Sequence, residues 1–267
     1  MCGDCREAVK ASTTSRYVER VCPSWEYHGF EAFCARGRMA VIRDLLEGKL
    51  EVNDELFEWA FSCVTCGTCK AVCLNAGGEG IDTPTIMEEI RAFLISKGVT
   101  SSKQMKILDS IKKNRNPYNE PFEKRFSAVS PLPIDEESDT VLFLGCTALY
   151  REQSMAKSTV EVLNRIGVKY TVLSDETCCG SVLKRMGFKE EFEKLAEHNY
   201  NLWKEKGVKK IITCCAGCYR TIKKDYSELF NDYPFKVYHL VEIVPVDKLP
   251  KLNGKVTYHD PCHLARH

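Results

Sequence analysis

Fifteen cysteines punctuate this 267-residue chain, and most of them fall into short, spaced groups. Cys146 stands alone, Cys178 and Cys179 are adjacent and followed by Gly180, and Cys215-Ala216-Gly217-Cys218 form a C-x2-C pair. Thiolates are ligands for soft metals. Adjacent cysteines cannot easily bridge each other as a disulfide, and five thiols exceed what one tetrahedral zinc takes. Nearer the amino terminus, Cys63, Cys66, Cys69 and Cys73 are spaced C-x2-C-x2-C-x3-C. Three thiolates in one tight loop with a fourth close behind can wrap a cubane [4Fe–4S] cluster, the fourth often serving a second cluster. Zinc sites seldom carry three cysteines at this spacing, so the pattern points to iron–sulfur ligation.

The first motif is less regular. Cys2 and Cys5 are spaced C-x2-C, but the next position at that spacing is Ala8. A polar stretch follows, then Cys22-Pro23, which matches the closing Cys-Pro of a ferredoxin motif; after Cys73 that proline is replaced by Leu74. Cys34 lies in FEAFCARGRM and has two readings, a cluster ligand or a buried structural thiol on a helix. Cys2, Cys5, Cys22, Cys34, Cys63, Cys66, Cys69 and Cys73 number eight, as two cubanes need.

The words around the later cysteines carry a resemblance. FLGCTALYR around Cys146, TCCGSVLKRMG around Cys179 and CAGCYRTIKKDY after Cys215 resemble the CCG (cysteine-rich) domain of heterodisulfide-reductase-like iron–sulfur proteins. YHDPCHLARH, containing Cys262, looks like the opening of a second copy. The resemblance implies that Cys146, Cys178, Cys179, Cys215 and Cys218 hold one noncubane iron–sulfur cluster, with Cys178, Cys179 and Cys215 as ligands of a reactive centre. It implies that Cys22 joins Cys63, Cys66 and Cys69 on one cubane, while Cys73 crosses over to Cys2, Cys5 and Cys34 on the other. Cys262 would serve a further cluster, shared with residues of a longer parent or with a partner chain. Cys214 lies outside the family pattern and reads as structural, with a redox role as the alternative. The implied function is an electron-transferring oxidoreductase subunit. The alternative is a pure relay subunit of a flavin-dependent 2-hydroxyacid or glycerol-3-phosphate dehydrogenase. The implied partners are a flavoprotein or another iron–sulfur subunit, and a membrane cytochrome.

These residues need elements to position them. Four helices are expected in the first part: 30–47 with Phe33, Ile42, Leu45 and Leu46 inward; one capped by Asn53 with Leu56, Trp59, Ala60 and Cys63 on one face; 84–97 opened by Pro84 and closed at Gly98; and 102–113 presenting Met105, Leu108 and Ile111. Residues 114–139 hold Pro117, Pro121, Pro131 and Pro133 and end in an acidic run, which reads as an extended linker. Strands at 140–145, 168–173, 209–213, 236–243 and 255–259 then alternate with helices at 153–166, 189–206 and 217–230, implying a mostly parallel sheet. The fold class is α+β: an α-helical ferredoxin-like domain over 1–113, the linker, an α/β CCG domain over 140–250, and the start of a second CCG unit over 251–267. Cysteines after successive strands should then meet at the carboxyl rim of the sheet. Gly180 and Gly217 should let backbone pass close to the cluster.

Other features are weighed as follows. Arg36-Gly37-Arg38 can be a cluster-tuning or docking patch, or a solvated helix face, with the solvated face preferred. His259 and His263 beside Cys262 read as polar neighbours, His198 as exposed, and Tyr219 and Tyr226 as packing. Hydrophobic residues at 44% and a net charge of +1 without a dense basic run describe a globular protein without a nucleic-acid footprint. Neither a membrane-spanning stretch, a secretory h-region, a c-type haem motif, a GxGxxG nor a P-loop is present, so a cytoplasmic setting with nucleotide chemistry supplied by a partner is expected.

Overall fold

The computed structural model of the protein describes residues 7–12, 15–75, 79–249, 251 and 253–267, with the backbone path alone for 7–12 and 15–20. Cys2 and Cys5 lie outside the described residues. Two compact units emerge. The first runs to Ser102 and includes Lys184–Phe188; the second comprises Lys103–Leu183 and Lys189–Ala265.

The first unit opens with an antiparallel strand pair, β1 (Glu7–Ser12) and β2 (Ser15–Arg20), with Val9 opposite Val18. The polarity of this stretch hid the pair. Helices α1 (Pro23–His28), α2 (Ala35–Leu46), α3 (Glu55–Phe61), α4 (Thr68–Asn75) and α5 (Thr83–Ser96) follow. Local chemistry sets their ends. The Asn53 Oδ1 accepts from the N–H groups of Glu55 (3.0 Å) and Leu56 (3.3 Å), and Asp82 accepts from Thr85 N at 3.2 Å ahead of Pro84. Gly98 ends α5's turn in the left-handed region. Leu56, Trp59 and Ala60 of α3 pack with Ile42, Met87, Ile90 and Leu94 as the core. Two expected inward residues differ: Leu46 is 81% exposed, because α2 ends there, and Met105 is exposed on its helix.

The second unit contains α6 (Ser102–Asn114, from Lys103 on), β3 (Thr140–Phe143), α7 (Gly145–Tyr150), α8 (Gln153–Arg165), α9 (Ser181–Met186, as far as Leu183), α10 (Lys189–Glu205), β4 (Lys210–Thr213) and α11 (Ala216–Arg220). A π-turn over Thr221–Asp225 joins α11 to α12 (Tyr226–Leu229). Then come β5 (Lys236–His239), α13 (Leu240–Ile243) and α14 (Cys262–Ala265). The sheet is parallel in the order β3-β4-β5, with Val141 beside Ile211 and Ile211 beside Val237. All four residues of β3 are buried, as a strand covered on both faces requires. Single parallel bridges continue the sheet outward from Val141 to Thr171 and from Val172 to Ile134. The expected strand 168–173 is thus reduced to bridges.

The stretch 114–139, expected as a linker, belongs to the second unit. Val172 N donates to Pro133 O, Asp135 N donates to Val172 O, and Val129 is buried in the core beside Leu142, Leu163 and Ile212. Prolines there shape an edge that cannot pair fully, and composition alone does not distinguish such an edge from free chain. The expected strand 236–243 splits into β5 and α13 because the His239 ring and Glu242 form a reciprocal cap at the junction. No strand forms at 255–259; Val256 is 90% exposed and finds nothing to pack against. Among the described residues no helix is long and apolar enough to cross a membrane.

Candidate metal centres

In the first unit one pocket is lined by Cys22, Cys63, Cys66 and Cys69, together with Arg38. Cys22 precedes α1, Cys63 and Cys66 lie in the loop between α3 and α4, and Cys69 sits in the first turn of α4, so three separate stretches supply the thiols. Burial pushes the Cys69 thiol up to about 11, against the Thr83 hydroxyl, and burial likewise raises Cys22. Cys73, four residues beyond Cys69 on α4, does not line the pocket. Neither does Cys34, which is fully buried at the start of α2 with its thiol 3.4 Å from Glu31 Oε1.

Two buried guanidinium groups stand beside these thiols. Arg38 donates to the Trp59 carbonyl, to Ser24 Oγ (2.8 Å) and to Ser62 Oγ (2.9 Å), and lies 5.5 Å from the Trp59 ring. Arg91 donates to the carbonyls of Ala60 and Cys63 and sits 4.8 Å over Phe61. Burial lowers the pKa of both, and the nearby Cys63 thiol opposes it in each case. The solvated-face reading of Arg36-Gly37-Arg38 therefore fails for Arg38. Only Arg36 is half-exposed, paired with Glu31 at 2.7 Å.

In the second unit the five cysteines of the later motifs meet at the carboxyl ends of the strands. Cys146 lies in α7 directly after β3, Cys178 and Cys179 follow the Thr171–Val172 bridges, Cys215 caps α11 after β4, and Cys218 lies in α11. The thiols form a continuous string. Cys146 Sγ is 3.8 Å from Cys178 Sγ, and Cys178 with Cys179, Cys179 with Cys218, and Cys218 with Cys215 stand close enough to shift one another's proton affinity. Donation from Cys146 and Cys179 pulls Cys178 well below the ordinary thiol range, and Cys146 and Cys179 are correspondingly held well above it. Donation from Cys218, helped by the N–H groups of Cys218 and Gly217, brings Cys215 down to about 6, and Cys218 itself is raised.

Supports for this string come from residues without a motif. The fully buried Asn199 of α10 accepts from Thr177 N (2.9 Å) and donates to Cys178 O (3.3 Å), while Tyr226 Oη donates to Cys179 O (3.1 Å). Gly145 has φ +75°, and a Cβ there would meet Cys218 Sγ; sequence reasoning missed it. The two glycines it did single out bring backbone to the thiols, Gly180 N–H donating to Cys178 Sγ at 3.4 Å and Gly217 N–H facing Cys215, but what a side chain would meet there differs. A Cβ on Gly180 would meet the Phe192 ring at 2.8 Å, and one on Gly217 would make only ordinary contacts, the nearest to Cys215 Sγ and Ser181 Oγ at 3.7 Å. Cys214 faces away into the core beside Leu142 and Ile212, its Sγ 3.8 Å from Leu144 O. Cys262 opens α14, which packs on α11, and His263 Nε2 lies 3.3 Å from Arg220 Nη1. Tyr219 and Tyr226 are buried, and His198 is half-buried against the Asp175 carbonyl (2.8 Å).

The donor sets distinguish between metals. Among the described residues no three His, Cys, Asp or Glu side chains converge as a single ion needs. Thiols ringed around a space, or strung along a rim, suit a cluster, which takes its thiolates on different irons. Both sets fit iron–sulfur chemistry on that ground.

Known proteins point the same way. Residues 140–223 match the model of the cysteine-rich (CCG) domain family. The whole chain is 33% identical to one of the subunits of the dihydromethanophenazine:CoB–CoM heterodisulfide reductase of Methanosarcina mazei, covering 68% of that protein. It is 33% identical over 79% of its length to an uncharacterized iron–sulfur protein of Methanocaldococcus jannaschii, covering 42% of it. It is 30% identical over 79% of its length to the EtfAB:quinone oxidoreductase of Syntrophomonas wolfei, covering 32% of it. No solved structure matches the chain. The chain belongs to the CCG-domain family of heterodisulfide-reductase-type iron–sulfur oxidoreductase subunits.

Proposed function

We propose that this chain transfers electrons between two cubane clusters and a noncubane cluster in its CCG domain, acting on a disulfide-type substrate as heterodisulfide reductases do. Cys22, Cys63, Cys66 and Cys69 hold one cubane, and Cys2, Cys5, Cys34 and Cys73 the other. Cys146, Cys178, Cys179, Cys215 and Cys218 hold the noncubane cluster, and Cys262 serves a further one. When bound, such clusters supply one-electron carriers whose potentials follow from ligation, hydrogen bonding and burial. The observation that carries the reading is the row of five thiols brought to one rim by the ends of β3 and β4 and the bridged stretch at Thr171–Val172.

The chain's own residues do the rest. Asn199 and Tyr226 fix the Cys178–Cys179 carbonyls, so two adjacent thiols stay presented on the same rim as Cys146. A second pocket opens on Cys146 and Cys178, walled by Phe122, Tyr150, Arg115 and Arg125. Its lining also holds Glu176, and Arg115 is paired with Asp175, which leaves Arg125 as the cation toward an acidic sulfur compound; on that ground we read a substrate site here rather than a pure relay. Electrons enter from a partner, a flavoprotein or another iron–sulfur subunit, because the chain has no nucleotide motif of its own.

The test is metal and acid-labile sulfide analysis of anaerobically purified protein, with Cys179→Ala and Cys214→Ala compared. Iron and sulfide in near-equal amounts are expected. Cys179→Ala should lose the noncubane signal, keep the cubane signals and unfold more readily, since a lost ligand removes folding energy as well. Cys214→Ala should keep every signal. Zinc without sulfide, or the opposite order of the two variants, overturns the assignment.

A further inference from the structure

Arg38 is 1% exposed, yet among the described residues every hydrogen bond it makes ends on a neutral oxygen: the Trp59 carbonyl, Ser24 Oγ and Ser62 Oγ. Among the described residues no carboxylate pairs with it. A buried cation without a counter-charge is strongly disfavoured, as a broken buried ion pair is. The thiols whose charge would bear on the guanidinium are Cys63, Cys22, Cys34 and Cys69. Arg38 lines the same pocket as Cys22, Cys63, Cys66 and Cys69.

Its position is fixed from below. A Cβ on the neighbouring Gly37 would lie 1.9 Å from the Glu31 carbonyl oxygen, so α2 is seated hard on the turn at Glu31–Phe33. Ser24 and Ser62, 3.2 Å apart, close the other side. The guanidinium cannot swing out to water without disturbing this packing.

We propose that Arg38 is the buried counter-charge of the Cys22–Cys63–Cys66–Cys69 centre and raises its reduction potential. This rests on the reading of those four thiols as cluster ligands. As thiols they offer Arg38 nothing. As ligands they are thiolates, the centre is net negative, and each electron added increases the negative charge, so a fixed cation beside it favours the reduced form. Arg38 acts through the centre, as a positioning residue for its charge.

The experiment is an EPR-monitored redox titration of the anaerobically purified full chain and of Arg38→Gln, Arg38→Lys and Cys66→Ser. The signal missing from Cys66→Ser identifies the centre. Arg38→Gln should hold at least tenfold less reduced centre at a given ambient potential, a shift of about 59 mV toward negative values for one electron. Arg38→Lys should stay near the wild-type midpoint. An Arg38→Gln protein that fails to assemble the centre while Arg38→Lys assembles it also supports the charge role. An unchanged midpoint in Arg38→Gln overturns the proposal, as does failure of both variants to assemble it, since hydrogen-bond geometry would then be the requirement. If Cys66→Ser leaves iron content and spectra unchanged, the ligand assignment itself fails, and the proposal with it.

Discussion

Gly145 and Cys218 stand so close that a Cβ on Gly145 would lie 2.7 Å from the Cys218 sulfur. The contact joins the turn after β3 to α11 and seats Cys218 against the residue next to Cys146. Gly145 also holds φ +75°, which an L side chain adopts only at a cost of about 1–2 kcal/mol. Overpacking against the sulfur adds roughly 1–3 kcal/mol. Gly145→Ala should therefore lose about 2–5 kcal/mol in urea denaturation and reduce iron bound in the second unit. A variant as stable as wild type with full iron content would show that this approach has slack.

Asn199 and Tyr226 divide the support of the Cys178–Cys179 turn unequally. Asn199 bonds Thr177 N, Cys178 O and Tyr226 Oη, whereas Tyr226 alone reaches Cys179 O. Removing Asn199 strands several buried groups, so Asn199→Ala should cost about 2–3 kcal/mol, and Tyr226→Phe about 1 kcal/mol. Thermal and chemical denaturation of the two variants measure both. Equal or reversed costs would mean that Tyr226, not Asn199, organises the turn.

How far all this could be read beforehand varied with the kind of interaction. Asn53, Pro84 and Gly98 act within a turn of their own position, and the helices they bound came out near the expected limits. The cysteine words 146, 178–179 and 215–218 were legible because each follows a strand or its remnant, and strand order does the gathering. Helix α7 was not, because Gly145 to Tyr150 continues an apolar run that reads as strand until Gly145 turns the backbone. Arg38 was misjudged for a different reason. A charged residue in a basic step reads as solvated unless its counter-charge is known, and here all the candidates but Cys34 lie off its helix. Asn199, mid-helix and without a motif, left no trace in the sequence at all.

His239 predicts a pH dependence. Its Nε2–H donates to the Cys214 carbonyl at 3.1 Å and its Nδ1 accepts from Val241 N at 3.4 Å, a pair of bonds that only the neutral ring can make. Burial lowers its pKa, opposed by the bond to Cys214 and the Glu242 carboxylate. The other groups facing it are Tyr219, edge-on at 5.8 Å, and Lys223, 3.8 Å from Glu242. With the folded pKa below the unfolded value, the native state binds fewer protons. Stability is then full above the unfolded value of about 6.5 and falls as pH drops below it, by at most about 1.36 kcal/mol per unit. His239→Gln removes the titrating ring. It should be less stable than wild type at pH near 7.5 because the cap to Val241 is gone, yet lose less on going to pH near 5.5. Denaturant midpoints at the two pH values measure this. Parallel losses in variant and wild type would assign the pH dependence to other histidines and show that His239 keeps its ordinary proton affinity in the fold.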